Sequence, residues 1–549
     1  MRAERSPRAG CPGRRARYDA LVNSLPTSWW CARRVLLLCL VMAVLPGCGA
    51  PRNSAPVVVH WLAGRAEPVF DPDGPPDALR CSLERQLSRG LTERDSTGAV
   101  RLGLARSFEV SADSLRWTFH LAESLAFTDS TPITSAHFAA ALTAGLARTD
   151  HGTRAWVLGA VAGVARVRAG QPLPPLGIAT PDPHTLVLTL ERPDRGLLER
   201  LSVPGVSVPW KSRTGSWRDA VGSGPYRVVA GDAGRTLTLV AAPPCAGERA
   251  LADTLRVRFA TGAPRVLTAL RAGTTDLVWP LPPQLLERPL PADYALEQHA
   301  AAPERRLLLV LRADVPPTTR PEVRATLVRA LRRDELLAAL GSRGVALRQW
   351  LPGASSEVAW ARPEPRASVR SASREGGPDT PERRESYHLR LAYDADLSGA
   401  EVARALQGRW ARSGHYADLV PARGEDAARG ALAASGPQAV LVESQALFAG
   451  GPAELALYVS PLRGPAVGNV RTGWRTREFD RWVSLPEPAP GFDPDAAQSE
   501  LARGQVVLPL ASLPWQMAVR NGATRASVHP AFGPGWTAPE SASGSARSR

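Results

Sequence analysis

The sequence predicts an α/β protein, and three observations carry that expectation. Short β-runs alternate with amphipathic segments along the chain. The run 57–62 is followed by Leu79, Leu83, Leu87 and Leu91, whose spacing of four puts them on one side of a helix over 78–91. Strand 388–393, helix 398–413 and strand 417–421 form a β-α-β unit, which requires parallel strands. Finally, 549 residues with 44% hydrophobic and 22% charged residues can build a sizeable core in several domains, which excludes a disordered chain.

The remaining elements follow in order. Residues 107–121 read as a hairpin, with a strand at 107–110 and then Leu115, Trp117, Phe119 and Leu121 on one face. Thr134 is a candidate cap for a helix running to Leu146. A second hairpin spans 177–190 and turns at Pro181-Asp182-Pro183. Strands are predicted at 236–240, 254–260 and 276–279, with a helix at 264–272 between the last two. After a strand at 305–311, a single long helix is predicted over 321–340 with Val323, Leu327, Ala330, Leu331, Leu336 and Leu340 as its apolar face. Residues 354–386 turn rich in Pro, Ser, Gly, Arg and Glu, a surface excursion. A strand at 438–443, a helix at 476–483 and strands at 506–510 and 516–520 complete the series.

Composition excludes several functions. Lys211 is the only lysine among 67 basic residues, so no P-loop Gly-Lys-Ser/Thr exists, and a Schiff base would have one candidate. There is no His-Glu-x-x-His, no Cys-x-x-Cys and no Gly-x-Ser-x-Gly, and the nine histidines are scattered, so no metal, cofactor or catalytic residue is expected. Of the net charge of +15, residues 1–47 carry +6 and the rest +9, dispersed among Asp and Glu; nucleic-acid binding is not expected.

Residues 33–48 read as an export signal. Arg33 and Arg34 precede an apolar run from Val35 to Leu45, eleven residues where a bilayer span takes about 20. The run ends Leu45-Pro46-Gly47-Cys48, which resembles a bacterial lipobox and implies lipidation of Cys48. Residues 1–47 are therefore expected to be a signal peptide with an over-called N-terminal extension, and 48–56 a lipidated terminus and tether. Cys81 and Cys245 are the cysteines that remain; in an exported chain they could pair or stay as buried thiols.

The block 102–142 carries an ordered set of residues: Gly103-Leu104-Ala105-x-Ser107-Phe108-Glu109-Val110-Ser111, Trp117-Thr118-Phe119-His120-Leu121, and Phe127-x-Asp129-x-Thr131-Pro132-Ile133-Thr134. Further along stand Gly222-Ser223-Gly224-Pro225-Tyr226, Gly273-x-x-Asp276-Leu277-Val278-Trp279, Val323-Arg324-Ala325-x-Leu327-x-x-Ala330-Leu331, Gly473-Trp474 with Phe479-Asp480, and Val507-Leu508-Pro509-Leu510. This order resembles the family 5 extracellular solute-binding proteins, the oligopeptide, dipeptide and nickel binders of ABC importers. The resemblance covers residues 56–538. It implies a two-lobed, periplasmic-binding-protein-like α/β fold with a hinge cleft. Lobe I would comprise 57–76, 205–300 and 505–540, with an inserted subdomain at 77–204; lobe II would comprise 301–504, including the excursion 354–386.

The resemblance also implies the partners and the site. The partners would be a peptide or small solute, an ABC permease and ATPase, and the membrane through the lipid anchor; the chain would act as a monomer, exported and membrane-anchored. Trp61 and Glu67 would border the cleft from lobe I, with Trp279 near the hinge. Trp350, Asn469 and Trp474 would sit in or beside the lobe II wall, although a tryptophan by itself reads more readily as core. Gly222-Ser223-Gly224 reads either as a turn or as a ligand clamp. The family's peptide binders tend to carry Gly-Trp-x-x-Asp-Tyr in the region 438–452, and that aspartate takes the peptide's α-amino group. Here Ser444, Leu447 and Phe448 stand at the Trp, Asp and Tyr positions. An apolar Leu447 cannot pair with an ammonium, so either Glu443 or Glu454 substitutes or the ligand lacks a free α-amine. Two readings compete: a transport receptor, and a non-transport sensor or scaffold of the same fold with a degenerate site.

Overall fold

Among the described residues the strands form three larger sheets and three two-stranded ones. The structure, a computed structural model, describes residues 56–70, 78–95, 99–144, 146, 157–167, 171–194, 196–206, 208–212, 215–243, 248–299, 305–341, 344–347, 386–395, 399–422, 436–445, 472–483, 491–523, 527–529 and 533–539. The strands are β1 (Val58–Ala63), β2 (Thr92–Arg94), β3 (Val100–Leu102), β4 (Ala105–Val110), β5 (Arg116–Leu121), β6 (Ile178–Asp182), β7 (Thr185–Thr189), β8 (Tyr226–Ala230), β9 (Thr236–Ala241), β10 (Glu248–Ala250), β11 (Thr254–Phe259), β12 (Leu277–Val278), β13 (Tyr294–His299), β14 (Arg305–Leu311), β15 (Val345–Ala346), β16 (His388–Asp394), β17 (Tyr416–Ala422), β18 (Ala439–Gln445), β19 (Val507–Ser512), β20 (Trp515–Arg520), β21 (Ser527–His529), β22 (Gly533–Gly535) and β23 (Thr537–Pro539). The helices are α1 (Ala78–Leu87), α2 (Ser135–Thr143), α3 (Leu197–Leu201), α4 (Ala263–Arg271), α5 (Pro321–Arg329), α6 (Arg333–Leu340), α7 (Gly399–Arg412), α8 (Arg477–Val483) and α9 (Pro494–Gly504).

The first large sheet runs β13-β20-β12-β1-β11-β9-β8, with β1 parallel to β11 and β12. One face packs Trp61, Leu237, Leu255 and Val257 against Leu79, Leu83 and Leu87 of α1; the other packs Leu62 and Val278 against Val266 and Leu270 of α4. The second sheet runs β15-β19-β14-β18-β16-β17, with β16 parallel to β17 and β18. It too is covered on both faces. Leu307, Leu309 and Leu311 of β14 meet α5, α6 and α7, while Leu308 and Val310 join the cluster holding Phe479, Trp482 and Leu501 of α8 and α9. This burial on both sides is why β14 reads as an unbroken apolar run rather than an alternation. The antiparallel sheet β4-β5-β7-β6 lies between β1 and β8 in sequence; in β5 only Trp117, Phe119 and Leu121 are buried, the predicted period of two.

The structure departs from the sequence expectation in several ways. The helix 321–340 is two helices, because Arg332 is extended (φ −126°, ψ 115°) and starts α6, with Asp334 and Glu335 in its first turn. The break lets both apolar faces, Val323 with Leu327 and Leu336 with Leu340, reach the same sheet. Helix α9 was not foreseen, although Asp493 accepts from the Asp495 and Ala496 N–H groups ahead of Pro494. Helix α1 stops at Leu87, four residues early. Strand β19 belongs to the second sheet, so the chain leaves that sheet at Leu513-Pro514, not at 505.

The stop of α1 has a clear cause, and it decides the role of Gly222-Ser223-Gly224. The Gly224 N–H donates to Leu87 O (2.9 Å), and Ser223 Oγ accepts from the Arg89 N–H (3.1 Å). The glycines lie flat on the helix end; a Cβ at Gly222 would sit 2.1 Å from Leu87 O. This segment is a docking turn for a helix C-terminus.

Beyond the end of α1, the chain gathers charge around β2 and β3. Arg89 donates to both Glu93 oxygens (2.9 and 2.7 Å), and Arg101 reaches the same carboxylate (2.9 Å). Burial alone would raise the Glu93 carboxyl, but the two guanidinium groups outweigh it and hold it below its ordinary value of 4.5. A carboxyl depressed on folding contributes stability above its unfolded value, and that contribution fades as pH falls through the folded value. Glu93→Gln is therefore expected to be less stable than wild type at neutral pH, with the gap closing below about pH 4.5. Urea midpoints at pH 7, 5 and about 3.5 check this; a gap that does not narrow in acid rejects it.

Candidate functional site

The chain passes between the two large sheets twice, from β13 to β14 and from β19 to β20. These passages make the hinge. Arg305, at the start of β14, is its fastener. It donates to Pro514 O (3.1 Å) and to Glu443 on β18 (2.6 Å), and its guanidinium lies over the Trp515 ring, 4.1 Å from the centroid.

A cavity of about 260 Å³ opens where the sheets face each other, lined by Gly64, Gly262, Ala263, Pro264, Pro282, Gln284 and Ala395. These residues follow the ends of β1, β11, β12 and β16. In open α/β sheets, ligands bind outside the carboxyl ends of the parallel strands, and three such ends from lobe I converge here on one from lobe II. At the rim, Arg65 and Asp394 form an ion pair of 3.6 Å between the lobes.

The structure brings some of the candidate site residues together and separates others. Trp61 is fully buried in the lobe I core, with its indole N–H on Trp279 O (2.7 Å) and its ring against Trp279 and Trp536. Trp279 is equally buried and packs on Trp515. Glu67 receives two hydrogen bonds from Arg218 (2.9 and 3.0 Å) and one from the Gly234 N–H (2.5 Å), so its carboxylate ties the loop after β1 to lobe I. Glu443 is held by Arg305 at the hinge. Trp474 is half-buried, edge-on to Phe479, with its ring where a Cβ of Gly504 would be. Ser444 stands on β18 opposite Arg306. Trp350, Leu447, Phe448, Glu454, Asn469 and the lipidation candidate Cys48 lie outside the described residues, as does Cys245. Cys81 is buried on α1. Arg65, Asp394 and Arg305 were not foreseen, since each matters through a partner remote in sequence.

Among the described residues, no group of three or more His, Cys, Asp or Glu is placed to hold a metal ion, and no helix is long and apolar enough to cross a membrane.

Two sheets joined by a double-stranded hinge around a cleft define a two-lobed solute-binding fold. The sequence model "Bacterial extracellular solute-binding proteins, family 5 Middle" matches residues 99–434, and the chain belongs to that family. It is 31% identical over 115 residues to the periplasmic oligopeptide-binding protein OppA of Escherichia coli K12; the match spans 20% of this chain and about a fifth (21%) of that protein's length. Among solved structures, the binding protein AgaA of A. tumefaciens R10, in complex with agropinic acid, superposes with a TM-score of 0.69 at 18% identity, covering 86% of this chain and 96% of that one. Haemophilus influenzae OppA, in complex with the peptide RPPGFSPFR, gives 0.69 at 15% identity over 88% and 98%. Helicobacter pylori DppA, in complex with the peptide STSA, gives 0.69 at 14% over the same shares. At these identities the structural likeness establishes the fold.

Proposed function

We propose that this chain is the lipid-anchored substrate-binding component of an ABC import system, capturing a peptide or peptide-like solute in the interlobe cleft. The observation that carries the reading is the cavity at the converging strand ends of both lobes, in a chain of this family. Closing a cleft around a solute removes water, so a few directed polar groups fix orientation while apolar walls supply affinity. The peptides held by the Haemophilus and Helicobacter relatives support the ligand class. The chain works by binding and hinge closure, not by catalysis, and Cys48 carries its membrane anchor.

The second reading, a sensor or scaffold that has lost its solute, is favoured by one pair of observations. By the family resemblance Leu447 falls where the amine-binding aspartate would stand, and Glu443 is committed to Arg305. Native mass spectrometry of residues 49–549, before and after mild denaturation, separates the two. A discrete released solute without a free α-amine is the expected result. A folded protein that stays empty after incubation with peptide pools and cell extract overturns the transport reading in favour of the second.

A further inference from the structure

We infer that Arg65 and Asp394 form a built-in latch that holds the two lobes closed whether or not a solute is present. Arg65 follows β1 of the first sheet and Asp394 ends β16 of the second, so the pair spans the cleft and not a single core. Both residues are 8% exposed in this arrangement. When the lobes swing apart, the two charges separate, so their mutual attraction exists in the closed state alone. Such a differential contact is what a conformational equilibrium can respond to. A second touch lies on the same side of lobe I. Beyond Pro282 and Gln284 of the cavity wall, a carboxylate oxygen of Glu287 fills the space a Cβ of Gly341 would take at the end of α6 in lobe II.

The latch and a solute are compatible, because the cavity of about 260 Å³ persists beside the formed pair. The pair therefore stabilises the closed state together with a bound solute and does not compete for its place. A solute meets a cleft already biased toward closure and leaves only after the pair breaks, which preorganises binding and slows release. This regulation rests on reading the cleft as the binding site, but its test does not require a solute.

Small-angle X-ray scattering of solute-free residues 49–549 would compare wild type, Arg65→Gln, Asp394→Asn and the charge-swapped Arg65→Asp/Asp394→Arg double variant. Far-ultraviolet circular dichroism would confirm that each is folded. Each single variant is expected to lower the closed-to-open ratio roughly tenfold, read as a larger radius of gyration, and the swap to restore the compact form. Single variants that scatter like wild type, or a swap as expanded as the singles, overturn the latch. An empty cleft in native mass spectrometry with these scattering results unchanged would instead remove the transport reading and leave the latch standing.

Discussion

Replacing Arg305 with leucine is expected to destabilise the folded chain by about 2–3 kcal/mol. The guanidinium serves three groups together: the Glu443 carboxylate at 2.6 Å, Pro514 O at 3.1 Å and the face of Trp515 at 4.1 Å. Two of these belong to the second crossing between the lobes and the third to the neighbouring strand of lobe II. Leucine fills some of the volume but leaves the Glu443 carboxylate, 9% exposed, without its guanidinium. Lysine is expected to recover only part of the loss, because a single ammonium cannot reach two acceptors in a planar fork and cover an indole at once. Urea unfolding of Arg305→Leu, Glu443→Gln and the double variant measures the coupling directly; a double variant that equals the sum of the singles would show that the pair contributes nothing.

Gly222→Ala should cost about 3 kcal/mol, and Gly224→Ala a similar amount. The added methyl would meet Leu87 O at 2.1 Å in the first case and Leu87 C at 2.4 Å in the second. Both obstacles are backbone at the end of α1, so a side chain cannot swing away; either the helix end shifts or the Gly224 N–H gives up Leu87 O. Gly234→Ala is the comparison. Its φ of +71° strains an alanine, but nothing lies within 4 Å of the new Cβ, so a loss of about 1 kcal/mol is expected. Thermal melts that rank Gly234→Ala as the more damaging change would show that the packing of 222–224 on α1 is looser than described.

What the sequence revealed, and what it hid, follows from how far each signal reaches. Trp117, Phe119 and Leu121 announce their strand because a pleated sheet buries every second residue, a rule that needs no knowledge of the partner. The family motifs also fell in order, and they sufficed for the two-lobed fold. The break at Arg332 was legible but missed: the step of five from Leu331 to Leu336 falls out of the helical period, so one continuous helix could not turn Leu327 and Leu331 toward the same sheet as Leu336 and Leu340. The buried charges Arg80 and Glu84 of α1 were hidden, since a charged helix face reads as solvated until another element covers it. At the site, Trp61 and Trp279 were visible as large aromatics, but their role as core around Trp515 depends on a strand more than 200 residues away. The Arg65–Asp394 and Arg305–Glu443 pairs have no local signature at all, because each is a property of how two sheets meet.

The place of β20 in the first sheet has a further consequence, for the order in which the molecule can be made. Strand β20 is not an edge; it sits between β13 and β12, so without it β13 has no partner in the sheet and β12 keeps one edge open. A chain growing from its N-terminus must hold the edges of β12 and β13 open while the whole second sheet is synthesised and folded. Only when Trp515–Arg520 emerges can the first sheet close. The earlier-made lobe is thus the later-finished one, and the first sheet reaches its native order only after every strand of the second has been made.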